Sequence, residues 1–201
     1  LWTRLLSHIF GGTIYAFSIM LASFLFGIAA GGFAAGRLAG NQRQATNLFV
    51  TSQILIAVLS FLSFNYIDAW VPVFSGLGVK AVYSIIIILP STFFIGMTYP
   101  LAVKIACDTP EQASHVSGRI YAWNTVGAII GSLLTGFFLL PLIGFVGTIK
   151  AAVIVSLLLG FYTSFEHRDG LLKRQAPILG LLAFFIILTP SRPDGHRWVE
   201  G

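Results

Sequence analysis

The sequence predicts an all-α fold, a polytopic transmembrane helix bundle. Hydrophobic residues make up 56% of the 201 residues and charged residues only 9%, whereas charged residues are about 25% of an average globular protein. Long uncharged segments separate the charged residues, and each is long enough to hold a helix that crosses a bilayer core. Apolar runs such as 85–89 do not alternate with polar residues as membrane β-strands do, so we expect helices.

We predict about six spans, each lying in one uncharged segment. In chain order they are 10–35, 45–66, 80–103, 119–140, 147–165 and 176–190. The charged residues that bound them are Arg4, Arg37, Arg43, Asp68, Lys80, Lys104, Arg119, Lys150, Glu166, Arg174 and Arg192. The fifth and sixth segments are short, and they fit if a terminal lysine reaches the interface or the bilayer is thin. Residues 1–190 then form the transmembrane domain, and 191–201 form a polar tail or the start of a missing domain.

The basic residues predict the orientation of the bundle. The connections 36–44, 104–118 and 166–175, counted with the adjacent Arg119, carry seven of the 12 lysines and arginines, and the opposite face carries five. Since cytoplasmic loops are enriched in basic residues, we expect the three connections to share the cytoplasmic side.

The residue pattern gives little support for nucleic-acid binding, metal binding or catalysis by this chain. The net charge of +5 comes from scattered basic residues, so a nucleic-acid-binding face is not expected. The four histidines lie in separate regions without metal-ligand spacing, and no histidine lies near Cys107 to activate it. We therefore expect no catalytic residue, cofactor or metal in this chain, and the lipid bilayer as its main partner. The oligomeric state is left open.

Rows of small residues predict where the helices pack closely. Ser23, Gly27, Gly31 and Ala35 recur at fourfold spacing in the first span, and Gly127 and Gly131 do so in the fourth. Small residues let helix backbones approach each other in lipid. Close packing is one interpretation, and a sliding surface in a transporter that rocks between two states is the other.

The third and fourth spans hold the candidate site. Pro90 and Pro100 each remove a backbone donor, so we expect the third helix to bend near 86–90, and broken helices often line substrate sites in transporters. No Asp or Glu lies inside any predicted span, and Asn124 lies about one turn inside the fourth. The candidate substrate or helix-contact residues are Pro90, Tyr99, Pro100, Arg119, Tyr121, Asn124, Gly127 and Gly131.

Three stretches together resemble a known family. The chain begins Leu-Trp-Thr-Arg-Leu-Leu, the third span ends at residues 96–102 with Gly-Met-Thr-Tyr-Pro-Leu-Ala, and residues 118–132 read G-R-x-Y-A-x-N-T-x-G-A-x-x-G-S. Over about residues 1–165, this order resembles the membrane region of bacterial spermidine synthase-like proteins, and the last stretch is its specific part. The resemblance implies a multi-pass protein of the bacterial inner membrane in polyamine biosynthesis.

That family also suggests what lies beyond this chain. The resemblance implies a further helix before Leu1 and, in many members, a fused Rossmann-like domain of the aminopropyltransferase type after the bundle. The glycine-rich turn and acidic residues that would bind decarboxylated S-adenosylmethionine are absent from these 201 residues. We therefore expect a membrane domain that anchors such a synthase domain or passes substrate to it, within an enzyme whose catalytic residues lie elsewhere.

Two alternatives stay open. Residues 32–40 resemble the cytoplasmic loop after the second helix of major facilitator-type transporters, so the chain is half of such a transporter in this interpretation. The acid that usually precedes the arginine is replaced by Gly36, and Asn41 and Gln42 stand where a basic pair is usual. The other alternative is a purely structural membrane anchor.

Overall fold

A computed structural model describes residues 14–70, 77–107 and 109–166. All regular structure among these residues is helical, which confirms the predicted all-α class. The helices are α1 (Ile14–Leu38), α2 (Gln42–Trp70), α3 (Leu77–Ala106), a short 3₁₀ turn (Pro110–Gln112), α4 (Ala113–Leu133), a π-helical segment (Leu134–Leu139) and α5 (Leu140–Glu166). The sixth predicted span, 176–190, and the tail 191–201 lie outside the described residues.

Four helical segments among the described residues are long and apolar enough to cross a membrane. They are Ser18–Leu38, Gln42–Ser63, Ile85–Ala106 and Ala113–Ser164. By length and composition, the chain is therefore a multi-pass membrane protein. Exposed side chains such as Phe26, Phe137 and Leu142 are suited to contact with lipid, because they form no part of a packed core.

The last of these segments contains two of the predicted spans. Ala113–Ser164 has 52 residues, and a straight α-helix of that length would extend about 78 Å, more than twice the hydrocarbon thickness. Its helical geometry is interrupted at Gly144, where φ is 67° and ψ is −175°. That conformation is essentially restricted to glycine, and it falls between the predicted spans 119–140 and 147–165. The described residues thus contain four candidate segments, and the sixth predicted span lies outside them.

Helix α3 is the centre of the packing. Helices α1 and α2 each pack along α3, whereas α1 and α2 touch each other only slightly, and α5 packs on α2. One apolar cluster joins α1, α2 and α3 around Ala35, Ala45 and Leu101. A second cluster joins α2 to α5 through Val50 and Leu157. Helix α4 has no buried residue, and its packing partner among these helices is α3.

The first row of small residues lies at the α1–α3 interface. A Cβ atom built on Gly27 would overlap the side chain of Thr92, and one on Gly31 would overlap the carbonyl oxygen of Phe93. On the facing helix, a Cβ on Gly96 would lie 2.6 Å from the Cα of Ile28. The prediction of close packing at Gly27 and Gly31 is therefore confirmed, since only glycine lets these two backbones come so near.

The turn between α1 and α2 is fixed by polar side chains. Asn41 Oδ1 accepts a hydrogen bond of 2.8 Å from the backbone nitrogen of Gln44, as an N-cap residue does, and Gln44 Oε1 accepts one of 3.0 Å from the nitrogen of Gly40. Gln42 Nε2 donates to the carbonyl oxygen of Ile105 at 2.6 Å. The turn at 39–41 and the carboxyl end of α3 consequently lie at the same end of the bundle.

Candidate functional site

An open cleft lies between α1, α3 and α4. Its volume is about 490 Å³, within the range of small-molecule sites, which is about 300–1,000 Å³. Helix α1 contributes Ile28 and Gly32, α3 contributes Gly96, Tyr99 and Pro100, and α4 contributes Tyr121 and Asn124. Four of these seven, Tyr99, Pro100, Tyr121 and Asn124, are among the candidate residues predicted from the sequence.

Glycine forms the inner wall of the cleft. Because Gly96 lies against the backbone of Ile28, α1 and α3 are in direct contact along this wall. A Cβ atom at Gly32 would lie 3.7 Å from the carbonyl oxygen of Gly96, an ordinary contact distance. The absence of a side chain at Gly96 therefore sets how closely α1 and α3 approach at this wall of the cleft.

Tyr99 is held in place by the start of α4. Its hydroxyl lies 2.8 Å from the hydroxyl oxygen of Ser117, and it donates to the carbonyl oxygen of Ser117 at 3.2 Å. These contacts join two helices that share little other packing. These contacts restrain the Tyr99 ring, which lines the cleft together with Tyr121 and Asn124 of α4.

Pro100 changes the hydrogen bonding of the cleft wall. In an α-helix, the amide of residue 100 would donate to the carbonyl of residue 96. Proline has no amide hydrogen, so the carbonyl oxygen of Gly96 lacks this intrahelical donor. An oxygen atom capable of accepting a hydrogen bond is consequently placed next to Gly32, in the wall of the cleft.

Asn124 and Tyr121 supply the remaining polar groups. Both side chains are exposed, and among the described residues the Asn124 amide and the Tyr121 hydroxyl make no side-chain hydrogen bond. None of the seven lining residues carries a charge at neutral pH. The cleft therefore suits a small, largely apolar ligand with one polar end, and its residues supply no general acid–base pair.

The other four predicted residues lie outside the cleft. Pro90 is in α3, which continues through both of its prolines, but it does not line the cleft. Arg119 is exposed on α4 and does not line it either. A Cβ at Gly127 or Gly131 would meet no atom of the described residues within 4 Å. A helix contact at these two glycines stays a prediction, because none is made within the described part of the chain.

Sequence reasoning missed Ile28 and Gly32. Gly32 belongs to a second fourfold row, with Gly36 and Gly40, that runs beside the row facing α3. A row of glycines at this spacing indicates a recess in the surface of α1. The sequence alone does not mark Ile28 as a site residue, because isoleucine is common at both lipid-facing and packed positions of an apolar span.

Metal binding finds no support in this region. Among the residues that the structure describes, no group of three or more His, Cys, Asp or Glu side chains lies close enough to hold a metal ion. The 3₁₀ turn before α4 instead uses its polar groups locally. Cys107 Sγ donates to the carbonyl oxygen of Thr109 at 3.2 Å, and the backbone nitrogen of Gln112 donates to the same oxygen at 3.1 Å.

Comparison with known proteins gives one informative relationship. No protein-family model matches the chain, and no solved structure matches it. Polyamine aminopropyltransferase 2 of Streptomyces coelicolor is 26% identical over 197 residues, in a match that covers 92% of this chain and 36% of that protein. The chain thus spans about a third of the length of the curated relative it matches. It is distantly related to a polyamine aminopropyltransferase, and its helices are long and apolar enough to cross a membrane.

Proposed function

We propose that this chain is the membrane domain of a spermidine synthase-like protein of the bacterial inner membrane. Its task in this proposal is to anchor an aminopropyltransferase-type domain at the bilayer. The observation that carries the proposal is the match to a polyamine aminopropyltransferase over 92% of this chain but only 36% of that relative. Both coverages are expected if this chain is a membrane segment of a larger protein.

The composition of the spans supports an anchoring role over a coupled pump. Ion and proton pathways in membranes are usually marked by ionisable residues within the spans, and the predicted spans contain no Asp or Glu. Neither does the cleft between α1, α3 and α4 contain a charged residue. An anchor needs only helices that partition into lipid and pack together, and the α1–α3 interface provides that packing.

Passing a small substrate to the synthase domain is the second candidate role. The cleft favours it, because Tyr99, Tyr121 and Asn124 bring polar groups to an open recess between apolar helices. Half of a major facilitator-type transporter has less support. Arg37, the arginine of the transporter-like loop, lies over the ring of Phe33 at 4.3 Å from its centroid, and Gly36 stands where an acidic partner is usual.

Deletion of the bundle tests the anchoring proposal. In the full-length protein, aminopropyl transfer from decarboxylated S-adenosylmethionine to putrescine should sediment with membranes, whereas this isolated chain should have no such activity. Removing the whole membrane domain, which is residues 1–190 together with the helix expected before Leu1, should release the activity to the soluble fraction with kcat and KM unchanged. A soluble, folded remainder with strongly raised KM for the amine would instead favour the substrate-passing role. Transfer activity in the isolated chain would contradict both.

Cysteine labelling tests the proposed orientation. After replacement of Cys107, a cysteine at Gln112 should resist membrane-impermeant thiol reagents in intact cells, because we place this connection in the cytoplasm. A cysteine at Ser75, in the connection at the opposite face, should react. Lysed cells provide the control, since both positions should then react. The reverse pattern in intact cells would show that the basic residues mislead about orientation.

A further inference from the structure

We propose that the cleft between α1, α3 and α4 binds the ammonium end of a small alkylamine. In this proposal the ammonium group lies near the Gly96 carbonyl oxygen and the Asn124 side-chain oxygen, and its methylene chain lies against Ile28 and Pro100. The inference goes beyond the anchoring role. It stands or fails independently of that role, because a membrane anchor requires no ligand site.

The cleft offers two hydrogen-bond acceptors that a donor ligand can use. Pro100 leaves the Gly96 carbonyl oxygen without its intrahelical donor, and the Asn124 oxygen has no partner among the described residues. An ammonium group has three donors and no acceptor, so it can use both oxygens at once. A carboxylate or phosphate would need cationic side chains, and none of the seven lining residues supplies one.

Two aromatic rings strengthen the preference for a cation. Tyr99 and Tyr121 both line the cleft, and the face of a tyrosine ring attracts an ammonium group within about 6 Å of its centroid. Tyr99 is held by Ser117 at 2.8 Å between the two hydroxyl oxygens, so its ring is positioned before any ligand arrives. Positioning in advance lowers the ordering cost of binding.

The location of the cleft limits the cost of admitting a charge. A cation without a carboxylate partner is expensive in the middle of a bilayer. Tyr99 lies five positions before Lys104, which is exposed near the end of α3, and its hydroxyl contacts the first turns of α4. The cleft is therefore near the helix ends and open, so an ammonium group keeps part of its hydration there.

The binding experiment compares a diamine with its uncharged analogue. The full chain in phosphatidylglycerol nanodiscs is titrated with 1,4-diaminobutane or 1,4-butanediol by equilibrium dialysis, with empty nanodiscs as the background. We expect saturable binding of the diamine above that background and none of the diol. Equal binding of the two compounds would overturn the proposal. The proposal would also be overturned if neither compound binds saturably and the lipid comparison described below shows no headgroup effect.

The two prolines of α3 provide a matched pair of variants. Pro100→Ala restores the donor to the Gly96 carbonyl and should weaken diamine binding about tenfold, a factor that corresponds to about 1.4 kcal/mol. Pro90→Ala restores a donor in the same helix but outside the cleft, so affinity should not change. Asn124→Ala should also weaken binding, and it leaves the packing intact because this side chain is exposed. Unchanged affinity in both Pro100→Ala and Asn124→Ala would contradict the proposal.

A lipid arm identifies the source of the ammonium group. Phosphatidylethanolamine carries the same group on its headgroup, so nanodiscs containing it are compared with phosphatidylglycerol alone. Competition that disappears in Asn124→Ala would identify the headgroup as the occupant of the cleft. Diamine binding that this lipid leaves unchanged would identify a free amine. Both outcomes support the site, whereas lipid competition that persists in Asn124→Ala places it elsewhere.

Discussion

Gly31 of α1 lies directly against the main chain of Phe93 in α3. A Cβ atom at Gly31 would overlap the Phe93 carbonyl oxygen and lie 3.1 Å from the nitrogen of Met97. Backbone atoms cannot move aside as a flexible side chain can. The separation of α1 and α3 is therefore set by this glycine, and the cleft beside it depends on that separation.

Gly31→Ala should consequently destabilise the bundle. We expect a loss of about 1–3 kcal/mol, the usual cost of overpacking, because the helices must separate to admit the methyl group. Thermal unfolding in detergent measures the effect. Gly36→Ala is the matched control, since nothing lies within 4 Å of a Cβ there, and its unfolding temperature should be unchanged or higher. Equal effects of the two variants would show that the α1–α3 contact is wrong.

Tyr99→Phe should loosen the start of α4. The change removes the hydroxyl that contacts Ser117, and hydrogen bonds between membrane helices contribute about 0.6 kcal/mol on average. Hydrogen exchange of residues 113–120 should therefore become faster. Tyr121→Phe also removes a hydroxyl, but this one has no partner among the described residues, so exchange should stay as in the parent chain. Faster exchange in both variants would contradict the role of Tyr99.

Gly131→Leu tests the small-residue row of α4. No atom of the described residues lies within 4 Å of a Cβ at Gly131, so packing within the described helices predicts little change in unfolding temperature. If α4 packs through this row against the predicted span 176–190 or a second copy, the loss should be about 1–3 kcal/mol. Unfolding in detergent at two protein concentrations separates these cases, because only association between copies depends on concentration.

Gly144→Ala should strain the junction before α5. Gly144 has φ of 67° and ψ of −175°, and a side chain in this region costs about 1–3 kcal/mol. Nothing lies within 4 Å of a Cβ there, so the cost is conformational rather than steric. Gly118→Ala, in the regular part of α4 and equally free of neighbours, should be neutral or stabilising. A neutral Gly144→Ala would indicate that the segment can continue as one helix.

The pKa of the Glu111 carboxyl should respond to Thr109. A hydrogen bond from the backbone of Glu111 and a second from the side chain of Thr109 lower the pKa of this exposed carboxyl. A lowered carboxyl pKa means that the turn is stabilised above the ordinary pKa of glutamate and loses this contribution as pH falls through the lowered value. Thr109→Val should raise the pKa of Glu111 toward its ordinary value, as measured by NMR titration. An unchanged value would exclude the Thr109 contact.

The sequence by itself determined that this protein is a set of membrane-crossing helices. With 9% charged residues, it has too few polar groups to cover a soluble domain, and backbone hydrogen bonds in lipid require helices. The sequence also indicated the rows of small residues at Gly27 and Gly127 and the polar residues Tyr99 and Asn124. These are local properties, which depend on spacing along one helix.

Only the tertiary structure decided which of those patterns meet. The Gly27 row packs against α3, whereas the Gly127 row has no neighbour among the described residues. Tyr99 and Asn124 line one cleft, but Arg119, two residues before Tyr121, does not. A spacing pattern shows that one helix face is small or polar, yet which helix covers that face depends on contacts between residues far apart in the chain. In lipid this choice is set by the fit of the helix surfaces, since the hydrophobic effect does not distinguish one apolar helix from another.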